Sequence, residues 1–262
     1  MKISDIEQLA FAFSAELSKY TYRAEDLDYS IFEKQIPILQ SLATISNSGV
    51  SVFDLNKKEH LFYSPNFGVL LGYDLKEILE RGQEFLDQKI FTDDYVSLMK
   101  NGILLFKLFN QFSDDEKANY KLINEYRVLN SDNKYVRVIE QHQSLQMDAR
   151  GNMWLIMSTI DISPNQESND VFKSQLLNFR TGKTIPILDD SKNLSEDISL
   201  GLTKREVQIL QLVKDGFLSK EISDKLAISV HTVNTHRQRF LEKLGANNSM
   251  EAVVFASKLG LL

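Results

Sequence analysis

The chain has 262 residues, 43% of them hydrophobic and 25% charged, and its formal net charge is −6. That size suits two modest domains, each able to bury a core without disulfide or metal staples. The absence of any cysteine excludes thiolate zinc sites, iron–sulfur clusters, thiol nucleophiles and disulfide frameworks; with no signal-peptide pattern at the N-terminus and no apolar run of bilayer length, a cytoplasmic protein with no membrane partner is expected.

Taken in chain order, residues 1–46 read as an N-terminal helical segment. Ile6, Leu9, Phe13 and Leu17 recur at helical spacing. A second helical stretch opens at Tyr29 and meets Ile36-Pro37, where a proline should start or break a helix. Residues 47–162 change character. Short strands are predicted at 50–53 and 61–63, joined by a polar connection at 54–59. Helical or irregular patterns fill 65–110. Three longer strands are predicted over 121–129, 135–146 and 153–161, with turn residues at 131–134 and 148–152. Two strands, then helices, then three strands predict an antiparallel sheet with helices on one side, an α+β domain. Residues 163–201 read as a linker, polar and turn-rich at 163–168 and 189–193, with a short helix expected over 171–179.

Residues 202–262 hold nine Lys and Arg against six Asp and Glu, a balance of +3 that leaves −9 for the rest of the chain. Such asymmetry points to a basic module joined to an acidic partner domain. Thr203 and Glu206 have the spacing of a capping box. Ile209, Leu210 and Val213 give the helix they open a buried face, and Gly216 ends it. A second helix is predicted over 219–226, with Ile222 and Leu226 inward. Ser229 caps a third over 230–244, Gly245 stops it, and a fourth runs over 250–259. At 100° per residue the third helix places Val233, Phe240 and Leu244 on one side. His231, Asn234, Thr235, Gln238 and Glu242 fall on the other, a face of short donors and acceptors suited to base edges. Arg239 and Lys243 flank that face, placed for phosphates, while Arg237 lies nearer the core with its guanidinium expected to reach solvent.

Many spaced positions here agree with one family: Leu202-Thr203, Arg205-Glu206, Ile209-Leu210, Gly216, Lys220-Glu221-Ile222, Leu226, Ile228-Ser229, Thr232-Val233, His236, Lys243-Leu244 and Glu251-Ala252-Val253. Residues 202–262 thereby resemble the LuxR-type helix-turn-helix transcription regulators. The resemblance implies an all-α four-helix DNA-binding domain with 230–244 as the recognition helix. It implies base contacts from Asn234, Thr235 and Gln238, and phosphate contacts from Lys220, His231, Thr232, Arg239 and Lys243. It implies dimerisation through the last helix, at Val253, Val254 and Ser257. The sequence departs from the family at Leu218, where a Ser or Thr usually opens the second helix and Ser219 is expected to take over the cap. Gln208 and Ser249 also depart, and His236 borders the core side.

Residues 47–162 resemble a PAS domain through Ser64-Pro65, Phe67, Leu70, Gly72-Tyr73, Glu77-Ile78, Phe91-Thr92-Asp93-Asp94 and Glu125-Tyr126-Arg127. Ser64 stands where many members have Asn, and Thr92 where many have Pro. The resemblance implies a sensor or interaction domain whose ligand is unknown. Phe53, Phe62, Tyr73, Trp154 and Met157 read either as pocket lining or, with better odds, as ordinary core. His60 and His142 are the histidines open to a haem, against the commoner structural role. No cofactor, metal ligand set or catalytic residue is assigned, and no enzyme is expected: phosphate loops, kinase signatures and nucleophile elbows are missing. Asp93-Asp94, Asp114-Asp115 and Asp189-Asp190 read as solvated turns and helix starts.

The expected protein is an α+β PAS-like domain followed by an all-α four-helix LuxR-type helix-turn-helix domain, acting as a sequence-specific transcription regulator. Its expected partners are double-stranded DNA and a second copy, RNA polymerase as a further contact, and a small molecule or protein at the PAS-like domain. The rival reading is a haem- or ligand-sensing signalling protein whose helix-turn-helix serves as a protein-interaction module.

Overall fold

One antiparallel sheet organises the first two-thirds of the chain. The structure, a computed structural model, describes residues 3–109, 112, 114–166, 172–187, 202–258 and 261–262. Among them, strands β1 (Gly49–Asp54), β2 (Glu59–Tyr63), β3 (Tyr120–Leu129), β4 (Tyr135–Met147), β5 (Met153–Ile162), β6 (Lys173–Asn178) and β7 (Lys183–Pro186) pair in the order β2-β1-β5-β4-β3-β6-β7. The turn chemistry fixes the registers. Asp54 accepts from the amides of Asn56 and Lys57 in the β1–β2 turn, and Asn130 accepts from those of Asp132 and Lys134 between β3 and β4.

Before the sheet come α1 (Ile3–Ser18) and α2 (Tyr29–Ser46); between β2 and β3 come α3 (Pro65–Val69), α4 (Leu75–Asp87), α5 (Thr92–Phe109) and α6 (Asp114–Lys117). The helices cover both faces of the sheet, where the pattern of elements predicted one. Phe32, Leu39 and Ala43 of α2 pack with Val50, Val52, Phe62, Trp154 and Met157. On the opposite face, Phe67, Ile78 and Phe85 of α3 and α4 pack with Tyr126, Val138 and Ile160. α2 also runs unbroken through Pro37. The hydrogen bond that Pro37 cannot donate would have gone to the carbonyl of Glu33, and both residues are exposed, so water can satisfy that carbonyl.

Two further expectations give way. Residues 173–178 form a strand, not a helix, because their alternating burial fits the edge of β3, where Leu122 pairs Leu176 and Asn124 pairs Ser174. The stretch read as a linker thus extends the sheet by two strands. The acidic pair Asp93-Asp94 opens α5, but Asp94 is fully buried. Its carboxylate takes the Arg127 guanidinium in a two-point fork at 2.9 and 2.7 Å, and the Arg127 amide at 2.8 Å. Asp189-Asp190 lies outside the described residues.

The C-terminal module is helical: α7 (Lys204–Lys214), α8 (Ser219–Leu226), α9 (Val230–Leu244) and α10 (Ser249–Lys258). Its core is Ile209, Leu210, Ile222, Val233, Phe240, Leu244, Ala252 and Ala256, all at most 2% exposed. Strand β7 meets it: Lys183 Nζ lies 2.6 Å from Glu251 Oε1, and a Cβ on Gly245 would come within 2.8 Å of the Thr184 carbonyl oxygen.

Candidate nucleic-acid interface

Local signals build the frame that presents α9. Both halves of the capping box form at α7: the Glu206 amide donates to Thr203 Oγ1 at 3.2 Å and the Thr203 amide to Glu206 Oε2 at 2.7 Å. Burial raises the Glu206 carboxyl, but Lys243 and the Thr203 amide outweigh it and hold it below its ordinary value. At α8 the Glu221 carboxylate accepts from the Leu218 amide at 2.7 Å, so the box is half made. Ser219 does not take over the cap. Its hydroxyl instead accepts from Arg237 at 2.9 Å. Ala227 turns the chain into the α8–α9 corner in a left-handed conformation, φ 51°, and Ser229 caps α9 by accepting from the Thr232 amide.

α9 buries Val233, Phe240 and Leu244 and turns its other side outward. Asn234 and Gln238 are exposed there, one turn apart, and Gln238 Nε2 donates to Glu242 Oε1 on the same helix at 3.1 Å. Thr235 is half-buried, with its hydroxyl donating to the His231 carbonyl. Of the phosphate set, Lys220, His231 and Arg239 are exposed, and Thr232 is half-buried with its hydroxyl 2.8 Å from that of Ser229. α9 packs against α7, α8 and α10, and α8 packs chiefly on α9.

The structure reassigns several residues. Lys243 is drawn to the fully buried Glu206, Nζ to Oε2 2.7 Å, so its ammonium already has a partner within the domain, where the sequence pattern pointed to a phosphate. Arg237 is half-buried, and its guanidinium is engaged within the domain: it reaches Ser219 Oγ on α8 at 2.9 Å and Ser249 Oγ on α10 at 2.8 Å, tying three helices. The departures at Leu218 and Ser249 acquire a meaning here, since the two serines form the receptor for that guanidinium. Val253 is 6% exposed and packs in the core, which removes it from a dimer surface; Val254 points out and Ser257 is half-buried. His236 sits at the core border with Nδ1 buried and unpartnered. Arg205, which reaches the Leu226 carbonyl at 3.2 Å, was read from sequence only as a matching position. The ion pair, the serine receptor and the Arg205 contact all join helices distant in sequence, so no spacing announces them.

On the α+β domain, the five proposed pocket residues do not converge. Phe62, Trp154 and Met157 pack under α2, whereas Tyr73 packs across the sheet against Phe85. That second face carries a polar group instead. Glu140 accepts from Tyr126 at 2.7 Å and from Ser158, with His142 Nε2 at 3.3 Å. Burial would raise the Glu140 carboxyl, but His142, Ser158 and Tyr126 bring it down to about 2. Burial would lower His142, and Glu140 more than reverses it. His60 lies stacked on Tyr63 at 4.8 Å, and burial holds it down at about 4. His142 is committed to Glu140, which does not fit a haem ligand, whereas His60 stacks on Tyr63 with its Nδ1 buried and unpartnered. Beyond this group, Asp87 and Tyr95 border an open cleft of about 390 Å³ with Ile6 and Gln83. Among the described residues, no group of three or more His, Asp or Glu is placed to hold a metal, and no helix is long and apolar enough to cross a membrane.

Comparison with known proteins identifies the helical module. Residues 200–256 match the family described as bacterial regulatory proteins, luxR family. Oxygen regulatory protein NreC of Staphylococcus aureus strain RF122 is 41% identical over 73 residues, 28% of this chain and 33% of its own length. NreC of strain JH9 is 40% identical over the same length. The chain thus spans about a third of the curated relatives it matches. Among solved structures, a phage VqmA–DPO complex is 16% identical over 87% of this chain and 91% of its own, with a TM-score of 0.32. A sensory box histidine kinase/response regulator from Burkholderia thailandensis is 17% identical over 49% of this chain and 86% of its own, with a TM-score of 0.33. Scores this low leave the α+β fold to be argued from its own strands. The C-terminal helices α7 to α10 thus correspond to a LuxR-type helix-turn-helix module over residues 200–256.

Proposed function

We propose that this protein is a sequence-specific, DNA-binding transcription regulator that works as a dimer, with its α+β domain, read as PAS-like, carrying the signal. The observation that carries the reading is the outer face of α9, where Asn234 and Gln238 stand exposed on a helix whose other side is the domain core. Side-chain amides of this kind pair bidentately with adenine in the major groove. Thr235 completes the base-reading set, and Lys220, His231, Thr232 and Arg239 contact phosphates beside it. Two such helices in a two-fold dimer engage successive major grooves about one turn apart. Val254 and Ser257 on α10 meet their counterparts there when both half-sites are filled. A small molecule or protein at the α+β domain biases that dimer, and no catalytic step is involved. The strand–strand, helices, three-strand order observed around the Glu140 group supports the PAS-like reading of 47–162.

Selection of random double-stranded DNA by the full-length protein at stated moderate salt tests this. An inverted repeat among the recovered sequences is the expected result. Recovery of no motif, by the full chain and by residues 195–262 alike, would overturn the DNA-reading assignment in favour of a protein-interaction module.

A further inference from the structure

α2 has two apolar faces, and among the described residues only one of them is packed into a core. Phe32, Leu39 and Ala43 enter the core. Ile31, Ile38, Leu42 and Ile45, at 48%, 66%, 46% and 84% exposure, face solvent. At 100° per residue these four fall within about 60° of one another, a stripe roughly 20 Å long on one helix. An amphipathic helix needs one apolar stripe to dock on its own domain. A second aligned stripe of four large aliphatic side chains is what a helix–helix contact uses.

The spacing says which partner fits. Ile31 and Ile45 stand seven residues before and seven after Ile38. A two-fold axis through Ile38 therefore sets Ile38 against its own copy and Ile31 against Ile45 of the other chain. The stripe is complementary to itself in the antiparallel sense, as an isologous contact requires. In that arrangement Lys34, the charged residue beside the stripe, lies along the second copy's Leu42, where its methylene stem can pack. A parallel pairing would instead bring the two Lys34 ammonium groups together.

We propose that the exposed stripe of α2 is the surface through which two copies of this chain associate off DNA, as antiparallel helices crossing at Ile38. The inference rests on the dimeric regulator reading above and gives its dimer a surface distinct from α10. One helix face per protomer is far fewer than the roughly 20–30 residues a side of a standard interface. The free dimer is accordingly weak, and two half-sites on one operator strengthen it by holding the copies together.

A chain without cysteine makes the test direct. Ile38→Cys in the full-length protein forms a disulfide dimer under mild oxidation, while Leu79→Cys, equally exposed on α4, does not. A mixture of Ile31→Cys and Ile45→Cys chains yields the mixed dimer in preference to either homodimer, which separates antiparallel from parallel pairing. Ile38→Asp raises the dissociation constant of the dimer by about ten-fold or more in sedimentation, with unchanged circular dichroism and thermal midpoint. It also weakens binding to a paired operator but not to a single half-site. If Ile38→Cys cross-links no faster than Leu79→Cys, or if Val254→Asp abolishes association and Ile38→Asp does not, the proposal is overturned. If the α2 cross-links form as stated while no DNA motif is recovered, the surface stands and the regulatory reading falls.

Discussion

The helix-turn-helix domain and the α+β domain use their polar residues in opposite ways. In the first, Asn234, Gln238, Lys220 and Arg239 are exposed, and two polar links join its helices: buried Glu206 with Lys243, and half-buried Arg237 with Ser219 and Ser249. In the second, Glu140 with His142, Tyr126 and Ser158, and Asp94 with Arg127, stand against or inside the sheet. A reading face must exchange water for base edges, so its groups cannot be consumed by the protein. A buried polar group must instead be satisfied internally, and it fixes the core around it. The difference predicts that substitutions on α9's outer face will change DNA binding and spare stability, whereas those in the buried groups will do the reverse.

The largest effect expected is from Glu206→Ala. It removes half of the capping box and leaves the Lys243 ammonium beside an apolar core, so denaturant unfolding should show a loss of about 3 kcal/mol. A loss below about 1 kcal/mol would mean that water replaces the pair and that Lys243 is free for phosphate after all.

A pH titration of stability probes the buried groups of the α+β domain next. His60 in the folded chain titrates at about 4, below the ordinary 6.5. Between those values the unfolded chain holds the extra proton, so stability must fall as the pH drops from 6.5 toward 4, by at most roughly 3 kcal/mol. His142, raised by Glu140, works the other way: its contribution is complete in that acid window and fades as the pH rises through its raised value. His60→Gln should flatten the acid limb measured by unfolding at stepped pH. An unchanged limb would place the acid sensitivity elsewhere.

On the reading face, Gln238→Ala should cost about 1–3 kcal/mol at one base pair and relax specificity there, with stability altered by less than about 0.5 kcal/mol. Lys220→Ala should weaken every sequence alike and lower the slope of affinity against salt by about one. Identical behaviour of the two on cognate and random DNA would end the division into base and phosphate contacts. The smallest effect is expected from Ala227→Gly. Relief of a left-handed alanine should gain up to about 1 kcal/mol, less the entropy that glycine adds to the unfolded chain; a loss would show that the corner needs the alanine methyl.

The sequence by itself determined the local events. Thr203 with Glu206, Ser229 and Gly245 mark helix ends because caps are made within four residues, and the 3.6-residue period places Val233, Phe240 and Leu244 on the core side with no knowledge of what they touch. The strand pattern around 47–162 carried the antiparallel sheet for the same reason, through alternation and turn residues. Only the tertiary structure decided what long-range contacts control: that Lys243 serves Glu206, that Arg237 is tied to two serines, that Val253 is core, and that α2 bridges Pro37. It also decided that residues 173–178 extend the sheet, since an open edge on β3 offers hydrogen bonds that a short isolated helix does not. The aliphatic residues of α2 are plain in the sequence, but which of them face solvent depends on where the sheet lies, and a helix with two apolar faces reveals the free one only after the other is packed.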